Sequence, residues 1–327
     1  MTVPMESSRD AITGCALVLS AGFLWGTVGT ARTFAPAEVS PQALGVVRLS
    51  VAGGALLMLA ALRGDLSSPR RFLCPAMLLA TMGMAAYQYF FFSSIAKTGV
   101  AVGTIVAMGS PPMFAGLMEW VMQGERPNPE WIYATALAVF GCGLLISAGG
   151  GLSVDIPGVF LALGAGAAFA IFSISVKRLV VHVPAYAAIA VVSSLGALFL
   201  APFLWIENLA WLTRPSGYAV VLFLGLVATA CPYVLYSQGL KRVNSKTGTT
   251  LLLAEPLTAG MLGYFFLGER FSALALFGMA LLLAGFVVTS IEAGRARPRR
   301  PGSSRLKFSE SPHVGAKRKF SPTGRQR

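Results

Sequence analysis

The chain has 327 residues, of which 55% are hydrophobic and only 12% charged, with a mean hydropathy of +0.69. A soluble domain carries about 25% charged residues, so these side chains cannot cover a water-facing surface, and a soluble enzyme or binding module is excluded. The net charge of +13 is not a nucleic-acid signal either, because eleven Lys and Arg follow Gly294 against one acid, Glu310.

Each membrane-spanning helix needs about 20 residues, which leaves room for roughly ten. Residues 1–12 are short and polar and read as a cytoplasmic N-terminus. The apolar run that follows is too long for a signal peptide and reads as a retained first span. Apolar runs and polar breaks predict spans at 13–34, 42–62, 72–95, 100–122, 131–149, 157–177, 184–205, 217–239, 247–267 and 272–291. The faintest break, near 96–99, is marked only by Lys97-Thr98-Gly99. Residues 294–327 are basic, rich in Pro, Ser and Gly, and predicted to be a disordered cytoplasmic tail touching anionic lipid, not nucleic acid. Basic residues in the short loops place both termini inside. The four cysteines, Cys15, Cys74, Cys142 and Cys231, stand singly with no metal-ligand spacing, so no metal or cofactor is expected.

A shift of 144 residues lays the second half on the first. Gly124-Glu125-Arg126 falls on Gly268-Glu269-Arg270, Pro112 on Pro256, Tyr89 on Tyr233, Gly14 on Gly158 and Gly22 on Gly166. Each repeat holds five spans, an odd number, so the second enters the membrane upside down. The expected fold is therefore all-α and integral to the membrane, with ten helices as two inverted five-helix repeats, 13–149 and 157–291. Inverted repeats are a transporter architecture with the substrate site near the midplane.

Trp25-Gly26, Arg48, Pro112 with Gly124-Glu125, and Glu255-Pro256-x3-Gly260 closing with Leu267-Gly268-Glu269 carry a resemblance. Over residues 13–291 the chain resembles the EamA family of the drug/metabolite transporter superfamily. The resemblance implies alternating access around a central cavity lined by spans 1, 3, 4, 6, 8 and 9. It also implies a place in the bacterial inner membrane, and export of amino acids and related metabolites.

Glu255 lies about 12 Å into its span, where an ionisable group is costly, and reads either as a proton-titrating or ammonium-binding residue or as a structural carboxylate that caps backbone freed by Pro256 or pairs with another span. The twin of Glu255 is Pro111, so only one half carries this charge. Pro112 and Pro256 are expected to kink their helices, either turning freed backbone groups toward a ligand or letting the small residues Ala115-Gly116 and Ala259-Gly260 cross closely. Trp25, about 18 Å along span 1, is expected on a cavity wall. Gln88 and Tyr233 are assigned inward because an amide or phenol facing lipid is costly. Met108 and Phe169 are further candidates for lining or packing. Arg48 can snorkel to the interface and is assigned a structural or gating role, as are Glu125 and Glu269 after a C-cap-like glycine. Glu119 is expected to snorkel. Trp120, Trp131, Trp205 and Trp211 read as interface anchors.

The sequence thus points to a secondary transporter exporting small amphipathic metabolites, neutral or aromatic amino acids first, as a monomer or homodimer. Efflux of lipophilic cations past aromatic walls and Glu255 is the alternative. An intramembrane enzyme fits poorly, because His182 and His313 lie in a loop and the tail and no hydrolase motif is present.

Overall fold

The computed structural model describes residues 8–36, 39–66, 69–124, 127–147, 155–267 and 272–295. The predicted tail beyond 295, Glu125 and Glu269 lie outside them. Among the described residues the regular structure is helical throughout: α1 (Ser8–Arg32), α2 (Pro41–Leu62), α3 (Pro75–Gly109), α4 (Pro111–Gln123), α5 (Pro129–Ser147), α6 (Ile156–Leu179) and α7 (Ala185–Leu200). There follow α8 (Pro215–Leu222), a π-helical stretch (Phe223–Ala230), α9 (Cys231–Leu240), α10 (Ser245–Leu251), α11 (Ala254–Leu267) and α12 (Ala273–Arg295). Local chemistry sets several ends. The Ser40 hydroxyl accepts from Ala43 N at 3.0 Å and the Asp155 carboxylate from Gly158 N at 2.7 Å, each ahead of an early proline. Gly124 closes α4 in the left-handed conformation, φ 71°.

Five helical stretches, 9–32, 42–62, 156–179, 185–205 and 215–240, are long and apolar enough to cross a bilayer unaided. The helix α3 is not a rod. A Cβ placed on Gly103 would come within 3.2 Å of Ile95 Cα, whereas eight residues of straight helix span about 12 Å. The chain doubles back between them, so the faint break expected near 96–99 is a reversal without loss of helical backbone. With both limbs of α3 counted, the helices make ten crossings. One group of helix ends, including those at Ser8, Gln123, Leu179, Leu240 and Arg295, shares one side of the molecule, the N-terminal face.

The 144-residue offset recurs in space. A Cβ on Gly141 would lie 2.6 Å from Gly278 O and 2.8 Å from Leu282 N; a Cβ on Gly285 would lie 2.8 Å from Ala134 O and 3.0 Å from Ala138 N. Those are the same crossing seen from its two sides. As α12 advances from 278 to 285 its partner in α5 retreats, so the equivalent helices run antiparallel. The pair α2 and α7 does the same, with Gly53 against Ser194 and Gly196 against Leu49. The halves are therefore inverted. Gly14 packs on Arg242 and Gly22 on Ala254, while their twins Gly158 and Gly166 pack on Thr98 and Ser110. Small residues let these backbones approach closely, which is how helices associate where lipid removes the hydrophobic drive.

Several side chains depart from expectation. Glu119 does not snorkel: it is buried, and its Oε1 accepts from Ser245 N at 2.8 Å. Trp131 and Trp211 are not interface anchors but buried packing residues. Trp131 lies against Gly116, with Lys246 Nζ 5.1 Å from its ring. Trp120 and Trp205 are exposed.

Candidate functional site

Two interrupted crossings meet the middle of the molecule. The first breaks at Ser110, between α3 and α4; the second at Leu252–Leu253, between α10 and α11. The prolines do not kink continuous helices, as the sequence alone predicts. Pro111 and Pro112 open α4, and Pro256 lies in the first turn of α11, where a missing N–H leaves no bond unmade. The breaks precede them. Glu255 shares that first turn, where the helix dipole favours negative charge. Gly26 of α1 abuts it: an added Cβ would lie 2.7 Å from Glu255 O and 2.5 Å from Thr258 Cβ.

A ring cluster drawn from four crossings stands beside this break. Trp25 of α1 packs edge-on against Tyr233 of α9, centroids 4.8 Å apart, and against Phe169 of α6 at 6.3 Å. Tyr87 of α3 meets Phe169 at 5.2 Å, and Tyr236 and Phe172 close the inner side. Buried Ser173 and Tyr236 pair through their hydroxyls. The turn that carries Tyr233 is spaced by the π-helical stretch before it. Pro232 cannot donate to the carbonyl one turn back, and within the π-helical stretch Thr229 Oγ1 donates to Leu224 O at 2.6 Å.

Arg48 of α2 faces the same region. Its Nε is buried and has no hydrogen-bond partner, and its charge acts on Glu255, Tyr87 and Tyr233. The structure thus brings Trp25, Phe169, Tyr233 and Glu255 together and adds Arg48, which snorkelling would have carried away. Met108 packs half-buried against the same core. Gln88 goes elsewhere. It is buried with an unpaired Oε1 and lines a separate cavity of about 260 Å³ between α2, α3 and the end of α7. The sequence alone puts Tyr87 and Tyr236 in aromatic clusters without assigning them inward, and leaves Phe172, like Phe169, between lining and packing. The i,i+3 spacings Tyr233/Tyr236 and Phe169/Phe172 carried the signal for two of them. Among the described residues no three His, Cys, Asp or Glu side chains cluster as metal ligands.

At the N-terminal face the halves are joined by polar contacts. Besides Glu119 with Ser245, Thr135 Oγ1 meets Thr250 Oγ1 at 3.0 Å, Asn128 Nδ2 donates to Glu292 at 2.9 Å, and Tyr186 donates to Asp65. Lys177 Nζ reaches Val243 O at 2.6 Å on the same side.

Inverted halves, with interrupted helices facing a charged and aromatic midplane, define a two-repeat helical membrane transporter. The chain belongs to the EamA-like transporter family, whose sequence profile matches residues 12–147 and again 156–291. It is 40% identical over 91% of its length, and 97% of the relative's, to the uncharacterized transporter YwfM of Bacillus subtilis (strain 168). It is 30% identical to the threonine/homoserine exporter RhtA of Escherichia coli (strain K12), over 82% of this chain and 88% of that one. A crystal structure 22% identical in sequence superposes with a TM-score of 0.74, over 86% of this chain and 99% of its own, and shares the fold.

Proposed function

We propose that this transporter exports small neutral amino acids, aliphatic-hydroxyl or aromatic, across the bacterial inner membrane. The observation that carries the reading is the presence of opposite charges on two elements at the aromatic cluster. Arg48 offers a buried, unpartnered N–H and Glu255 a carboxylate at a helix start. A zwitterion matches both: its carboxylate to the guanidinium, its ammonium to Glu255. The ring faces of Trp25, Tyr87 and Tyr233 accept the ammonium and the apolar side chain. The name of RhtA, a threonine/homoserine exporter, supports this substrate class. With both termini in the cytoplasm, the polar contacts at the N-terminal face close the cytoplasmic side and the substrate leaves by the other.

A lone lipophilic cation suits Glu255 and the rings but gains nothing from Arg48, so the zwitterion is the better fit. Efflux of labelled threonine from proteoliposomes tests the proposal against competing analogues. An amine without the carboxylate and an acid without the amine are each expected to compete at least roughly tenfold worse than threonine, the loss of one charge-assisted hydrogen bond. Equal competition by the amine would favour the cation reading, and absence of flux for every neutral amino acid would overturn both the substrate class and the roles given to Arg48 and Glu255.

A further inference from the structure

The cavity lined by Gln88 has a chemistry of its own. It lies toward the face opposite the N-terminus, where α2 begins and α7 ends, and none of its lining residues belongs to the Trp25 cluster. Three aromatic rings form its walls: Tyr89, Phe92 and Phe203, with Tyr89 and Phe203 centroids 5.6 Å apart. Its polar lining comes from Gln42, Gln88, Ser93 and Glu207. Gln88 is 3% exposed, yet its Oε1 has no partner, and a buried unpaired acceptor is costly unless something supplies a donor. Gly45 keeps the space open: a Cβ there would lie 2.7 Å from Phe92 Cε2. Tyr89 and Phe203 remain exposed at the rim, so the cavity is reached from the lipid side near the interface, where the exposed Trp205 also sits.

We infer that this cavity is a second ligand site, separate from the transport site, and that it takes an amphipathic ammonium from the outer part of the bilayer. Aromatic faces and a lining carboxylate attract the cationic head, the amide oxygens of Gln42 and Gln88 accept its N–H or polarised C–H groups, and Val46 and Leu200 cover the apolar body. Among the described residues none of the lining is cationic, which disfavours an anionic head.

Benzyltrimethylammonium, titrated calorimetrically into the full chain in lipid nanodiscs with empty nanodiscs subtracted, tests the assignment. Saturable binding is expected, with benzyl alcohol at least tenfold weaker because it lacks the charge. Glu207→Gln, at the end of a short surface segment, is expected to weaken binding tenfold or more, and Gly45→Leu, which drives Phe92 into the space, to abolish it. Glu255→Gln is expected to leave this binding intact, which separates the side site from the proposed amino acid site. Absence of saturable binding, equal binding of benzyl alcohol, or a loss caused by Glu255→Gln and not by Glu207→Gln would each overturn the inference. Size-exclusion profiles of every variant confirm that the folded protein is being compared.

Discussion

The outer scaffold and the midplane of this transporter obey different rules. At the α5–α12 and α2–α7 crossings the two halves are interchangeable: Gly141 meets α12 as Gly285 meets α5. At the midplane they are not. Glu255 stands where the other half has Pro111, and Arg48 where it has Val192. Packing needs only small residues at equal depth, which duplication supplies twice. Binding a molecule with two unlike ends needs unlike groups, and these lie on one half or the other. The inverted repeat is thus the frame, and the charges are additions to it.

The comparison can be broken where it is strongest. Arg48→Ala removes the guanidinium proposed to hold the substrate carboxylate and is expected to lower amino acid efflux roughly 30-fold or more, the worth of one hydrogen bond to a charged group. Val192→Ala, at the twin position, should leave efflux per reconstituted molecule unchanged. Equal losses at both would mean that the asymmetry is incidental. Gly141→Leu and Gly285→Leu probe the scaffold instead. Each forces a side chain into a facing backbone and should destabilise the protein by about 1–3 kcal/mol in thermal unfolding. A loss confined to one of them would refute the symmetric crossing. Glu119→Gln keeps an acceptor for Ser245 N but removes its charge, and should cost about 1 kcal/mol by the same assay.

The smallest effects belong to the prolines. Because Pro112 and Pro256 open helices, Pro112→Ala and Pro256→Ala should each change stability by less than about 1 kcal/mol. A larger change, equal at both positions, would restore the kinked-helix reading.

The repeat was legible because its markers, a mid-span proline, a Gly-Glu-Arg triplet and paired glycines, recur at one offset, and the prolines and paired glycines serve the same ends in both halves. Glu255 and Trp25 were legible because burial in lipid makes each conspicuous by itself. What a single helix cannot show is which neighbour a side chain meets. Tyr87 and Gln88 are adjacent and both polar-tipped, and only the packing of α3 sends the first to the ring cluster and the second to the side cavity. The same holds for Arg48, since depth alone permits snorkelling and only α2's placement sets which neighbours it meets. Glu119 found its partner 126 residues away, beyond anything periodicity reports. The breaks were assigned to the prolines because proline is visible in sequence, whereas the unwound residues Ser110 and Leu252–Leu253 are ordinary.

One measurement bears most directly on the central claim: the initial rate of labelled threonine efflux from proteoliposomes holding equal amounts of wild-type and Glu255→Gln protein. The neutral amide keeps the shape and removes the charge proposed to face the ammonium. The account predicts a fall of roughly 10- to 150-fold, the worth of a hydrogen bond to a charged group. A rate unchanged from wild type would contradict it.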